Sequence, residues 1–254
     1  MLYANKHRWV KRIHPDILPD FGKSGIKKIS QLLAKLGDTN ISYKFSPLDE
    51  DFFTWFTPQY EKQVGSKKNF SGHNVIAKTL HRENKIFPYF SLTVFESDTP
   101  VGGVIFTLRK NRLSIAFRVF KPSWDKNPTV RCSPALLAEY LLARHALDNN
   151  LEYLAHGVDK NPYGLNASIG LAIFKLSVGC RPEIYFNHEI KDFNTAEYST
   201  DTLVFEYKTG SKVIEEATLM TTLENLPKYE QLMKYEHLLK IKTVLMELNQ
   251  VSTN

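Results

Sequence analysis

Three apolar segments separated by short polar turns occupy residues 86–120 and restrict the fold of this chain more than any other feature. Ile86–Glu96, Val101–Leu108 and Leu113–Phe120 are rich in aromatic and β-branched residues, which suit a pleated, half-buried surface. Asp98 and Pro100 stand in the first gap, and Lys110, Asn111 and Arg112 in the second. Gaps this short connect hairpins, so the three segments read as an antiparallel meander. Ser133-Pro134 then supplies a capping residue and a proline suited to the first helical position. Leu137, Tyr140, Leu141, Arg144 and Leu147 share one side of the helix that follows, which ends at Asn149-Asn150. Leu151–Val158 reads as a strand, Leu165–Val178 as a helix stopped by Gly179, and Glu183–His188 and Thr202–Tyr207 as two further strands.

Upstream of the meander, residues 1–21 carry mixed charge with Pro15 and Pro19 and read as an irregular arm. Ile26, Ile29, Leu33 and Leu36 recur at helical spacing between Ser24, a candidate cap, and Gly37, a candidate stop. Ser46-Pro47-Leu48-Asp49 reads as the start of another helix with Leu48, Phe52 and Phe56 on its apolar face. A second helix is expected over 57–65 or 70–84, broken by Gly65 and Gly72. Beyond Gly210 the spacing of Leu238, Ile241, Leu245 and Leu248 predicts a helical Lys212–Asn249 that packs back on the domain or pairs with a second copy as a homodimer. The expected organisation is an arm and helix over 1–40, a central domain over 41–210 and a helical extension over 211–254.

Composition narrows the class of protein. A chain of 254 residues with 43% hydrophobic content can bury a core without a metal or disulfide staple. Its two cysteines, Cys132 and Cys180, suggest free thiols in a reducing compartment. The eight histidines and two cysteines show no paired spacing of the zinc type, so no metal is expected. The 33 Lys and Arg against 27 Asp and Glu leave +6, which favours anionic ligands or simply a solvated basic surface. Lys6, Arg8, Lys11 and Arg12 make the N-terminus basic, but no apolar run follows, and no segment reaches the ~18 apolar residues of a membrane span. A cytoplasmic protein is expected. Trp9, Trp55 and Trp124 are scattered and read as core or cleft wall.

The order strand, two helices, three meander strands, helix, strand, helix, two strands covers about 41–207 and resembles the GNAT acyltransferase superfamily. The most specific stretch is Leu151–Val158, then Asn166-Ala167, then Phe174-Lys175 leading to Gly179-Cys180. Within the superfamily the chain is most similar to the branch that includes the Fem-type peptidoglycan bridge-forming transferases. The resemblance implies an α/β fold with a mixed, mostly antiparallel central sheet and flanking helices. It also implies that the fourth and fifth strands splay apart to admit an acyl-thioester donor, acetyl-CoA or another acyl-CoA, whose acyl group passes to a small-molecule or peptide amine. The strand edge maps onto Ala116–Phe120, with Phe117, Arg118 and Val119 at its centre. The donor's pyrophosphate maps onto the helix start at Arg131, Cys132, Ser133 and Ala135, because helix N-termini present unpaired N–H groups and partial positive charge.

Two departures from the family pattern leave alternatives open. Arg131 and Ser133 stand where a glycine-rich loop is usual, so either Arg131 pairs with a phosphate directly or the donor is not coenzyme A. An aminoacyl-tRNA donor would then make nucleic acid a partner, and a non-catalytic binding module is the third alternative. Ser133-Pro134 also reads as a plain helix cap. Phe174 stands where a proton-donating tyrosine is frequent, which makes Tyr163, in the Asn161-Pro162-Tyr163-Gly164 loop, the candidate general acid; as a turn tyrosine it would pack over the sheet edge. Asp159 is the candidate base, with His156 near it in the chain, or else a turn residue. Asn166, Phe174 and Lys175 group with the donor site, where Lys175 would hold or polarise the donor unless it lies on a solvated helix face. Cys132 at a helix start is an alternative thiolate nucleophile, although nothing in the sequence ties His145, His156 or His188 to it.

Overall fold

The computed structural model describes residues 1–65, 74–82, 87–165, 167–194 and 201–246. Its elements run β1 (Leu2–Ala4), β2 (Lys6–Arg12), α1 (Gly22–Leu33), β3 (Ile41–Pro47), α2 (Glu50–Tyr60), β4 (Tyr89–Glu96), β5 (Thr99–Arg109), β6 (Arg112–Phe120), α3 (Pro134–Asp148), β7 (Tyr153–Lys160), α4 (Ile169–Ser177), β8 (Arg181–Ile184), β9 (Ile190–Asp192), β10 (Thr202–Phe205), β11 (Glu216–Thr221), α5 (Glu230–Met233) and β12 (Lys240–Leu245). The largest sheet is mixed, with seven strands in the order β3-β4-β5-β6-β7-β2-β8. The chain divides into two compact units, one made of Met1–Val10 with Val158–Asn254, the other of Lys11–Gly157.

In the Lys11–Gly157 unit the meander forms as its turn residues require, with Ser97 and Asp98 at positive φ between β4 and β5 and Lys110 at positive φ between β5 and β6. β3 adds antiparallel to β4, and β7 runs parallel to β6. Phe53, Phe56 and Tyr60 of α2 pack on Ile105, Phe117 and Val119 of the sheet. Gly103 permits this approach, because a Cβ there would stand 2.9 Å from the Trp55 ring and 3.0 Å from Phe56. On α3, Leu137, Ala138, Leu141 and Leu142 are buried, and the helix packs on β5 and β6. Capping differs from the sequence reading at two helices. α1 begins at Gly22 with no side-chain cap from Ser24, and the Asp49 side chain, not Ser46, caps α2 by accepting from the Phe52 N–H at 3.0 Å. Pro47 ends β3 instead of opening the helix. The expected second helix is reduced to π-helical turns at Glu61–Gly65 and Ala77–Arg82, and the rest of it lies outside the described residues.

In the other unit, β2 pairs antiparallel with β8, β1 with β9, and β10-β11-β12 form a separate three-stranded sheet. Two expectations are overturned here. The supposed irregular arm contains β1 and β2: the buried positions of β2 are His7, Trp9 and Lys11, so two of its three inward residues are polar and no apolar alternation announces the strand. The expected C-terminal helix over Lys212–Asn249 is instead strand, a four-residue helix and strand, so the fold has no long helical extension among the described residues, and no such helix to join a second copy. β12 pairs parallel with β11 from Glu216↔Lys240 to Thr221↔Leu245, and Lys242 reaches Glu216 at 2.6 Å and Glu206 at 3.4 Å. Backbone pairing and burial of Ile241 win over a helical spacing in which Leu245 is left exposed; Leu248 lies outside the described residues.

Candidate functional site

β6 and β7 open at a defined point. Their parallel ladder holds Arg112↔Tyr153, Leu113↔Leu154 and Ser114↔Ala155 and stops there, although β6 continues to Phe120. Two local features account for the break. On β6, Ile105 of β5 faces Phe117 while the next residue, Phe106, faces Ile115, so Ala116 is the extra residue of a bulge, and bulges bend and twist a strand. On β7, Gly157 has φ +67° with only the Ile115 carbonyl oxygen near its Cβ position, at 3.7 Å; the conformation, not crowding, calls for glycine. Beyond Ser114 the β7-facing side of β6 is therefore open at Ile115 and Ala116, and Ala116 is exposed. Phe117 and Val119 are committed to the α2 core.

Alternation along β6 directs Arg118 away from that core and toward α3. Its Nη1 donates to Glu139 Oε1 at 2.6 Å, and His156 Nε2 lies 3.1 Å from Glu139 Oε2. Arg118 Nη1 also stands 3.4 Å from His156 Nδ1, which suits a neutral imidazole carrying its proton on Nε2. The Glu139 side chain is 4% exposed and that of Arg118 22%. Burial alone would raise the Glu139 pKa, but His156 and Arg118, with Lys11 further off, hold it below the usual carboxylate value. One helix carboxylate thus organises a cation and an imidazole from the two diverging strands. Sequence reading passed over Glu139. The available signal is a carboxylate on the apolar face of α3, whose neighbours three, four and seven residues on, Leu142, Ala143 and Ala146, are all apolar.

Tyr163, Asp159 and Lys175 meet in the Met1–Val10/Val158–Asn254 unit. Asp159 Oδ2 accepts from both the Tyr163 hydroxyl and Lys175 Nζ. The same hydroxyl accepts from Trp9 Nε1 at 2.7 Å and lies 3.2 Å from His7 Nε2. His7, Trp9, Tyr163 and Phe205 pack ring edge to ring face around this point. Tyr163 is fully buried, whereas the Asp159 side chain keeps 16% of its surface exposed. Desolvation would raise the Asp159 pKa, but Lys175 and the phenol hold it below the usual value. Burial and the adjacent carboxylate push Tyr163 well above 10. Burial drives His7 down to about 3, so it is neutral at ordinary pH. Lys175 is buried on α4 and paired with Asp159, not solvated. His7 and Trp9 were missed because they sit on a strand read as an irregular arm.

The helix start at Arg131–Ala135 offers fewer donors than a glycine-rich loop. Pro134 has no N–H, and Ser133 Oγ accepts from the Leu136 N–H at 3.3 Å, so the cap serves the helix itself. Arg131 is exposed. Cys132 is 1% exposed, and burial pushes its thiol up to about 12, with Lys28 opposing that weakly; a thiol so placed is not a thiolate nucleophile. Phe174 is on α4 and partly buried, and Asn166 lies outside the described residues. Among the described residues no group of three or more His, Cys, Asp or Glu could hold a metal ion, and no helix is long and apolar enough to cross a membrane.

No known family model and no curated protein sequence matches this chain. Solved structures do match in fold. FemX aligns at 10% identity and a TM-score of 0.52 over 76% of this chain. L-PGS from Bacillus licheniformis aligns at 11% and 0.43 over 70%, and a GCN5-related N-acetyltransferase from Anabaena variabilis at 14% and 0.37 over 63%. The chain spans 63% of the length of the FemX chain and 54% of that of L-PGS. The fold is similar to that of FemX, a mixed α/β sheet flanked by helices.

Proposed function

We propose that the chain is an N-acyltransferase that moves an acyl group from a thioester, an acyl-CoA, to an amine by direct attack in a ternary complex. The observation that carries this reading is the early end of the β6–β7 ladder after Ser114 and Ala155, which leaves β6 backbone groups available to a donor whose own amides can pair with them as a strand would. The amine nitrogen attacks the thioester carbonyl, the C–N bond forms and the C–S bond breaks. The proton lost by nitrogen goes to Asp159, the thiolate takes the Tyr163 proton, and the phenol regains one through its hydrogen bond with Asp159. Lys175 keeps Asp159 ionised between turnovers. The acceptor in this reading is a small-molecule or peptide amine.

A second reading, an aminoacyl-tRNA donor, is favoured by the helix start, where Pro134 and the self-capping Ser133 replace the glycines that let backbone approach a pyrophosphate. The two are separated by one assay. Purified chain is incubated with acetyl-CoA, longer acyl-CoAs or bulk aminoacyl-tRNA and a panel of amines, and released thiol and new amide are measured together. Equal amounts of thiol and amide from a thioester support the first reading. Amide from aminoacyl-tRNA alone, with binding that falls by orders of magnitude between 50 and 200 mM salt, supports the second. No product from any donor overturns both.

A further inference from the structure

His7 and Trp9 stand two residues apart on β2, so their side chains leave the same face of the strand. Both are fully buried. Phe205 of β10 meets both rings near edge to face, 4.7 Å from His7 at 69° and 5.4 Å from Trp9 at 84°, which fixes their planes. In that setting Trp9 Nε1 and His7 Nε2 reach the Tyr163 oxygen at 2.7 and 3.2 Å. All four residues belong to the Met1–Val10/Val158–Asn254 unit.

Counting protons assigns the direction of each bond. A phenol has one O–H and two lone pairs, and an indole N–H only donates. Asp159, held ionised, takes the phenol's proton, and Trp9 fills one lone pair. His7 fills the other, which places the imidazole proton on Nε2 and leaves Nδ1 as an acceptor. Nδ1 is buried and has no hydrogen-bond partner among the described residues. The ring therefore leaves one nitrogen unsatisfied while its other nitrogen serves the Tyr163 oxygen. Two N–H groups aimed at one oxygen bind it more strongly as it becomes negative. Both donors are neutral, since burial drives His7 down to about 3, and neither gives up its own proton to a phenolate. Burial and Asp159 raise the phenol's pKa, and the Trp9 N–H acts against them.

We propose that His7 and Trp9 are positioning residues for proton transfer from Tyr163, two N–H groups that hold its oxygen while it is a phenolate. The inference rests on the transfer reading above, in which Tyr163 is the acid. The Tyr163 O–H bond breaks as the leaving sulfur takes the proton. The negative charge then lies on the phenol oxygen between the Trp9 and His7 N–H groups. Asp159, carrying the proton that the amine lost, returns it to that oxygen, and the site is as it began.

The test reads the phenolate apart from the reaction. Trifluorotyrosine in place of Tyr163 supplies a much more acidic phenol, whose ionisation in the full chain is followed by fluorine NMR over a pH series. Leucine and glutamine are both close to histidine in volume, but only glutamine keeps an N–H donor at the end of the side chain. His7→Leu should lower the phenol's ionisation constant about 10- to 100-fold, the span of one hydrogen bond to a charged oxygen, and His7→Gln should restore most of it. Benzothienylalanine in place of Trp9 exchanges only the indole N–H for sulfur, so it opens no cavity, and it should lower the constant by a similar factor. In the transfer assay with Tyr163 itself, His7→Leu should lower kcat over the same span with the donor KM unchanged. An ionisation constant that neither His7→Leu nor benzothienylalanine moves overturns the proposal, as does a His7→Gln loss equal to that of His7→Leu. Shifted ionisation with no transfer from any donor refutes the acyltransferase reading and the role with it, whereas transfer with unshifted ionisation refutes the role of His7 and Trp9 alone.

Discussion

Replacing Tyr163 with Phe removes one oxygen from the centre of a buried network, and the cost can be worked from its partners. The Trp9 Nε1–H, 2.7 Å from that oxygen, loses its acceptor inside the protein, where an orphaned donor costs about 1–3 kcal/mol. Asp159 loses one of two donors but keeps Lys175, and a hydrogen bond to a charged group contributes about 1.5–3 kcal/mol. The partners are shared, so the terms do not add fully, and a loss of about 3 kcal/mol in unfolding free energy is expected, roughly 6–12 °C in Tm for a chain of this size. Trp9→Phe leaves the phenol–carboxylate bond intact but removes the donor and part of a fully buried indole, so its cost adds a cavity to the lost hydrogen bond. Urea unfolding at pH 7 measures both. In the transfer assay Tyr163→Phe should lower kcat at least ~10²-fold with donor affinity unchanged, the signature of a group acting in the transition state. A stability change under about 1 kcal/mol would refute the network, and full turnover at reduced stability would leave Tyr163 a purely structural residue.

Acidification tests His7. Its folded value near 3 lies below the ordinary 6.5, so the unfolded chain binds the extra proton, and stability should fall by about 1.4 kcal/mol per pH unit as pH drops below about 6.5. Glu139 and Asp159, both held low, add losses of the same sign at more acid pH, as it falls through their folded values. A urea midpoint that is flat between pH 7 and 5 contradicts this. Glu139→Gln keeps the shape but removes the charge that faces Arg118 and His156, and should cost about 2–4 kcal/mol in urea unfolding; wild-type stability would mean the cluster contributes nothing. Gly157→Ala should cost about 1–2 kcal/mol through its positive φ alone, since the added methyl has room. Cys132, buried and raised to about 12, should react with an aromatic disulfide reagent only on unfolding; prompt labelling of the native chain at that position would contradict its placement.

The parts of the fold legible in the sequence are those where local chemistry and tertiary packing agree. The meander shows because short polar gaps separate three apolar runs rich in aromatic and β-branched residues, and α3 because Ser133 and Pro134 fix its start. What stayed hidden depends on partners distant in the chain. β2 buries His7, Trp9 and Lys11, whose burial rests on ring packing with Phe205 and Tyr163 for the first two and on Phe21 and Asp20 for the third; no period-two apolar pattern marks it. β12 carries apolar residues at helical spacing but is held by backbone pairing to β11. At the candidate site, Tyr163, Asp159 and Lys175 each stand out in the sequence, but only the fold brings them to one carboxylate oxygen. Arg118 was placed on the strand edge, while its anchor Glu139 looked like one more helix residue.

Hydrogen exchange along β6 tests the proposed donor site most directly. If an acyl-CoA lies against the strand where it parts from β7, saturating donor should slow exchange at the amides of Ile115–Phe120 that face the opening, with little change in the paired segment Arg112–Ser114. Donor binding that leaves 115–120 unprotected, or no binding of any thioester at millimolar concentration, would contradict the proposed site.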